Sequence, residues 1–269
     1  GHFSVTVGTV FERSHVPLHK WLLATHLLTS SKKGISAHQL HRTLGVTYKT
    51  AWFMAHRIRE AMKEANPEPM GGGGQPVEAD ETFTGPSGYE FTSEKGWAKK
   101  AGTGDKYKVV TLVERDGRAR SFHVKSLKAR NLRPILVRNV KRSAQLITDE
   151  ASHYKAVGRE FRSHHSVNHS VGEWKRGKTI HTNTVEGYFS IFKRGMRGIY
   201  QHCGEQHLQR YLTEFDFRYS HRKVDDQTRA VFALKGIHGK RLTYRRTRLH
   251  AEEEAHHARA IQALLPPVG

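Results

Sequence analysis

NPEPMGGGGQPVEADETF, residues 66–83, divides the chain into two kinds of sequence. Gly71 to Gly74, with Pro67, Pro69 and Pro76 around them, read as a linker that cannot pack as an element. Before this stretch the apolar residues recur at helical spacing. After it they fall into short runs suited to strands. A domain boundary is therefore expected at the glycine-rich linker, 70–76. A helical region over 1–69 would precede it, a larger unit over 77–222 would follow, and a basic, partly helical tail would occupy 223–269.

On the helical side, Pro17 suits a first turn, and Leu18, Trp21, Leu22, Thr25 and Leu28 follow at helical spacing. Gly34 breaks that helix. Ser36 can cap the next, which runs through Leu40 to Leu44 and stops at Gly45. Thr47 starts a third, TYKTAWFMAHRIREAMKEA. Two helices joined by a short turn with glycine match a helix-turn-helix, with Leu40, Leu44, Val46, Ala51 and Met54 as its core. A plain helical hairpin has the same apolar pattern. DNA is favoured by the content expected on the exposed face of the third helix: Tyr48, Lys49, His56, Arg57 and Arg59. The residues at its N-terminal end would face base edges in a major groove.

Beyond the linker, VEADETF reads as a strand. After a polar, glycine-rich insertion at 85–105, YKVVTLVE and RARSFHVK flank Asp116-Gly117, a good hairpin turn. A helix is expected over roughly 130–141, then a short buried strand in AQLITDE and a further one in SVNHS. Helices near 183–195 and 205–221 complete the unit. In the second, Leu208, Tyr211, Leu212, Phe215 and Tyr219 form one apolar stripe. This is a mixed α/β order, as in a ribonuclease H-like sheet with flanking helices, preceded here by a small all-α domain. The tail is basic in KRLTYRRTR and helix-prone in AEEEAHHARAIQALL.

Lysine and arginine number 45 against 25 acids, a formal charge of +20. A polyanionic partner is the simplest physical meaning, because each phosphate that is neutralised releases counterions. The basic residues are spread along the chain, which disfavours a membrane surface. No apolar run approaches the ~20 residues of a membrane span, and no secretory signal is recognisable. One cysteine, Cys203, excludes an internal disulfide and fits a reducing compartment. The expected location is the cytoplasm. A first residue of Gly1 and not methionine suggests a trimmed or partial protein.

The chemistry is concentrated in HTNTVEGYFSIFKRG, residues 181–195. Glu186 and Lys193 stand seven residues apart; at about 100° each they lie within about 20° of one helix face. With Arg194 beside them, they suit a site that holds a metal and a phosphate. Asp80 falls mid-strand in VEADETFTG, and Asp149 ends the strand in AQLITDE. Aspartate is a poor strand former, so both placements call for a reason. Each has a bland one: Asp80 could lie on an exposed face, which Glu78 shares by alternation, and Asp149 could cap the helix in ASHY. Together with Glu186 they fit metal-dependent phosphodiester chemistry, in which Mg²⁺ takes a few carboxylates plus water and phosphate oxygens. The histidines His164, His165, His169 and His181 lack the partners of a zinc site and suit hydrogen bonding better. No Walker loop, dinucleotide fingerprint or Ser/His/Asp motif stands out.

The chain resembles bacterial insertion-sequence transposases of the DDE class, in the subgroup with a zinc ribbon, a helix-turn-helix and a ribonuclease H-like catalytic domain. FSVTVGTVFERSHVPLHKWLLA, VEADETFTG, ITDEASHY, HSVNHS, IHTNTVEGYFSIFKRGMRGIYQH and HLQRYLTEFDFRYSHR carry the resemblance, which covers nearly the whole chain. It implies that Asp80, Asp149 and Glu186 are the catalytic acids, holding Mg²⁺ or Mn²⁺, and that Lys193 contacts DNA near the cut. Asn183 matches an asparagine that some relatives place in or beside the third position. Terminal inverted repeats and target DNA are the implied partners, and a homodimer or higher oligomer on DNA the implied assembly, associated with the bacterial nucleoid. The subgroup's zinc ribbon would precede FSVTVGTVF and is missing here.

The expected activity is cutting of transposon ends and transfer of the 3′-hydroxyl to target DNA. A nuclease or resolvase of the same fold, and a domesticated DNA-binding protein with an idle catalytic domain, are the alternatives. Tyr48, Lys49, His56, Arg57, Lys193 and Arg194 are the expected DNA contacts. Between the two neighbours on the third motif, charge favours Glu186 as the metal ligand, and Asn183 is expected to cap the helix.

Overall fold

Caps build the helical part. In the computed structural model, which describes residues 4–243 apart from 87–88, 94–95, 100–101, 169–174 and 178, Pro17 precedes α1 (Leu18–Ser30). Ser36 Oγ accepts the Gln39 N–H at 3.1 Å to start α2 (Ala37–Leu44). Thr47 Oγ1 accepts the Thr50 N–H at 3.1 Å to start α3 (Tyr48–Met62). Gly45 closes α2 at φ 60°, where a side chain would be strained. Trp21, Leu28, Leu40, Leu44, Ala51 and Met54 meet in one buried cluster, so the α2–turn–α3 core is the expected one.

Strands follow in the order β1 (Pro76–Thr84), β2 (Tyr89–Thr92), β3 (Gly96–Lys99), β4 (Tyr107–Glu114) and β5 (Ala119–Val124). Then come α4 (Ala129–Asn139), β6 (Gln145–Asp149), α5 (Ser152–Gly158) and β7 (Ser163–Val167). Two short strands, β8 (Lys175–Arg176) and β9 (Ile180–His181), lead into α6 (Asn183–Gly195), a π-helical turn at Met196–Tyr200, α7 (Glu205–Ser220) and α8 (Asp226–Lys235). The main sheet has the order β5-β4-β1-β6-β7. Its β5, β4 and β1 are antiparallel, whereas β6 and β7 run parallel to β1. This is the mixed five-stranded sheet of a ribonuclease H-like fold.

Both faces of the sheet are covered. Val77, Ala79, Val110, Leu112 and Leu146 pack with α4 and α5, while Val109 and Val113 pack with Val185, Phe192, Leu212 and Phe215 of α6 and α7. Burial on two sides explains why YKVVTLVE is a near-continuous apolar run and not an alternating one. The Asp116-Gly117 turn joins β4 to β5, with Asp116 at φ 58°. The 85–105 insertion carries the β2–β3 pair. Of the expected SVNHS strand, β7 takes the first two residues; His169 and Ser170 lie outside the described residues, as do the last part of KRLTYRRTR and all of AEEEAHHARAIQALL. No helix among the described residues is long and apolar enough to cross a membrane.

The glycines of the expected linker do pack. Gly72–Gly74 form a 3-10 turn, Gly71 N–H donates to Glu114 Oε1 at 2.8 Å, and a side chain at Gly71 would collide with Ala144. Positive φ at Gly71, Gly73 and Gly74 is what glycine supplies. Met70, fully buried, accepts the Lys141 N–H at 2.8 Å and donates to Asn139 O at 2.7 Å. The stretch is fastened to the sheet.

Helix α3 also departs from expectation. Tyr48 is exposed, as is Lys49, but His56, Arg57 and Arg59 are buried. α3 is enclosed by α1, α7 and α8, so a polar residue on its far face meets protein and not water. Arg57 donates to Glu12 O at 2.6 Å and lies over Trp21. Arg59 donates to Glu214 Oε2 at 2.6 Å. His56 stacks between Trp52, His207 and Tyr211, at 4.1, 5.0 and 5.5 Å. These three side chains are part of the interior and are withdrawn as DNA contacts.

His56 has a measurable consequence. Burial, then Arg59, His207 and Arg210, push its pKa down to about 2, so it folds neutral. Its contribution is complete above its unfolded pKa, near 6.5, and is lost as pH falls below that value, by about 1.4 kcal/mol per unit. His56→Phe keeps an aromatic ring there and should shrink the drop in melting temperature between pH 7 and pH 5. An undiminished drop would place the acid sensitivity elsewhere.

Candidate active site

The site forms where β1 outruns β6. The two pair in parallel only over Pro76–Glu78 and Gln145–Ile147. Beyond that the strands diverge, leaving a crevice at their carboxyl ends, the position where open α/β sheets collect ligands. Asp80 stands on β1 just past the last paired residue, and Asp149 ends β6. Carboxylate oxygens of Asp80, Glu81 and Asp149 all lie within 4.8 Å of one another.

Alternation along β1 sorts its acids. Glu78 and Asp80 point toward α6, and Glu81 points toward α5. There Tyr154 O–H donates to Glu81 Oε2 at 2.9 Å, with His153 Nε2 at 3.5 Å. Glu81 was missed in the sequence because it lies across the strand from Asp80; its length lets it reach past the end of β6. Asp149 does not cap α5, whose N-cap is Ala151 with no side-chain bond. Its Oδ1 accepts the Ala151 N–H at 3.1 Å and holds the turn instead.

Burial pushes the Asp80 carboxyl up to about 8, opposed by the Glu81 N–H on its Oδ1 and reinforced by the charges of Asp149, Glu81 and Glu186. Glu81 is raised as well, by burial and by Asp149. Three acids that cannot all ionise together present only hard oxygen donors, the set that a divalent cation such as Mg²⁺ takes. The residues fit such an ion.

Residues 71–220 match the ISXO2-like transposase domain. The chain belongs to that transposase family. An uncharacterized protein of transposable element ISH50 from Halobacterium salinarum is 29% identical over 232 residues, 80% of this chain and 74% of its own. Among solved structures, the Mos1 strand transfer complex is 10% identical over 80% of this chain and 74% of that one, with a TM-score of 0.32. The Drosophila P element transposase strand transfer complex is 10% identical over 84% and 65%, with a TM-score of 0.31.

In this transposase domain Glu186 lies on the first turn of α6, half-buried, and close enough to Asp80 to act on its charge. It stands outside the tight cluster of Asp80, Glu81 and Asp149. Asn183 is exposed and is the first residue of α6. It does not cap the helix, contrary to expectation: the N-cap position is Thr182, and the first-turn N–H groups of Thr184 and Val185 go to Glu78 Oε2 at 2.8 and 3.0 Å. Alternation along the strand suggests an exposed face for Glu78, but it is fully buried.

Lys193 follows on the same helix, its ammonium 6.0 Å from the Phe189 ring. It borders a cleft of about 580 Å³ past the end of β1, lined also by Phe83, Lys106, Tyr107, Arg197 and His202. Arg194 is exposed and donates to Ser190 O at 3.1 Å. His164 Nε2 lies 3.0 Å from Thr148 Oγ1, and His181 Nδ1 lies 3.4 Å from Glu78 Oε1, so both serve hydrogen bonding.

Proposed function

We propose that this transposase cuts DNA at the ends of its element and joins the freed 3′-hydroxyl to target DNA, with Asp80, Asp149 and Glu186 holding Mg²⁺ or Mn²⁺. The observation that carries the reading is the gathering of acids at the carboxyl ends of β1 and β6, with Glu186 acting on Asp80 from α6. Cations held about 3.5–4 Å apart would activate the attacking oxygen and stabilise the leaving one. Glu81, already engaged by Tyr154, fixes the α5 side of the crevice and adds to its negative charge.

Lys193, one heptad beyond Glu186, meets the backbone phosphate flanking the reacting one, and Arg194 adds a second cation to that helix end. Tyr48 and Lys49, at the exposed start of α3, contact the terminal repeat. The charge of +20 supplies the sequence-independent part of DNA affinity. Bringing two ends together calls for a homodimer or higher oligomer on DNA, and the reaction belongs in the cytoplasm, at the nucleoid.

The third ligand is decided by single-turnover cleavage of end DNA. Glu186→Gln keeps the shape but not the charge and should lose nearly all activity, by about 10²-fold or more. Asn183→Ala should keep a good part of it, because its side chain is exposed, does not cap α6 and carries no charge. A dead Asn183→Ala beside an active Glu186→Gln would transfer the role to Asn183.

A further inference from the structure

The start of α6 is held in an unusual way. The N–H groups of a first turn need an acceptor, ordinarily the hydroxyl at the N-cap position. Thr182 occupies that position, fully buried, but its Oγ1 donates to Glu186 Oε1 at 2.8 Å. Glu78, 106 residues before Thr184, takes over the cap: its Oε2 accepts Thr184 N–H and Val185 N–H, and its Oε1 accepts the Thr184 hydroxyl at 2.7 Å. Arg115 Nη2 donates to the same Oε1 at 2.8 Å, and its Nη1 donates to Thr179 O at 2.7 Å. One buried carboxylate therefore joins β1, the end of β4, the approach to β9 and the first turn of α6.

We propose that Glu78 is a positioning residue for the metal site: by capping α6 from strand β1, it fixes the start of that helix, and with it the Thr182 hydroxyl and Glu186, against the strand that carries Asp80. The inference rests on the reading of Glu186 as a metal ligand. A helix that caps itself can turn or slide against the sheet as a unit. A helix capped by the strand that carries Asp80 cannot, because its second and third residues are hydrogen-bonded to that strand. Glu78 and Asp80 share a face two residues apart, about 6.7 Å, and Glu186 follows Thr184 by about 3 Å along the helix axis. The carboxylate also places negative charge at a helix N-terminus, where it is favoured. Without it, the first-turn N–H groups lose the acceptor that ties them to β1, and the Thr182–Glu186 pair is no longer held in register with Asp80.

The test is a calorimetric titration of the DNA-free protein with Mn²⁺, paired with single-turnover cleavage at rising Mn²⁺. Glu78→Gln, Thr182→Val and Glu186→Gln are compared with the wild type. Glu78→Gln and Thr182→Val should each weaken Mn²⁺ binding about tenfold or more, the usual effect of disturbing what orients a ligand. Saturating Mn²⁺ should restore most of their cleavage, but not that of Glu186→Gln. A purely structural role for Glu78 would lower the melting temperature and leave Mn²⁺ half-saturation unchanged. If Glu78→Gln does not fold, Thr182→Val decides, since it is nearly isosteric and leaves Glu78 untouched. An inactive Glu186→Gln with unaltered Mn²⁺ binding in the other folded variants overturns the proposal alone. A fully active Glu186→Gln overturns the ligand assignment and the proposal together.

Discussion

Asp149→Ala and Asp80→Ala are each expected to reduce single-turnover strand cleavage by about a thousandfold, on the order of 4 kcal/mol in the barrier. Affinity for DNA should stay near that of the wild type. Each change removes one oxygen donor from the crevice at the ends of β1 and β6, while the basic residues that give the chain its +20 charge are untouched. Loss of folding is not the cause to expect. Asp80 is half-buried among acids that oppose its charge, so replacing it relieves repulsion, and the melting temperature should be no lower than that of the wild type. Cleavage by either variant at the wild-type rate in Mg²⁺ would remove these two residues from the reaction.

Breaking the buried charge network at Glu214 should have the largest effect on stability. Glu214 is fully buried on α7. It accepts from Arg59 of α3 at 2.6 Å, from Arg218 on its own helix and from the Tyr200 hydroxyl. Burial works against its charge, yet Arg218 and Arg59 hold its carboxyl below the usual range. Glu214→Ala leaves two guanidinium groups in the interior without their counter-ion, at a cost of roughly 3–5 kcal/mol. In a chain of this size that lowers the melting temperature by on the order of 10 °C. Glu214→Gln keeps acceptors for part of the network and should cost less. A thermal melt in which Glu214→Ala matches the wild type would show that the network contributes nothing net.

Features set by neighbours in sequence were legible. Ser36, Thr47 and Gly45 begin and end their helices where their chemistry requires, and Asp116-Gly117 turns β4 into β5. The acids Asp80 and Asp149 stood out because aspartate is out of place in a strand. What failed to show depended on distant partners. Arg59 looks like a solvated residue until Glu214, 155 positions away, is brought to it. His56 and Arg57 share that fate because α3 is enclosed on more than one side. Glu78 gave no sign of being a cap, since the helix it caps begins more than a hundred residues later. The four glycines showed their freedom of φ but not the neighbour, Ala144, that leaves no room for a side chain at Gly71.

Helix α7 faces two ways: Leu212 and Phe215 lie with the sheet, while Phe217 and Glu214 lie with the N-terminal helices. α8, from the other end of the chain, closes on α1. The N-terminal helices and the sheet domain are thus not interchangeable parts. A lineage that acquired new N-terminal helices by recombination would also need an arginine at the Arg59 position, or would have to replace Glu214 at the same time. Substitutions at exposed positions such as Tyr48 and Lys49, by contrast, leave that seam intact.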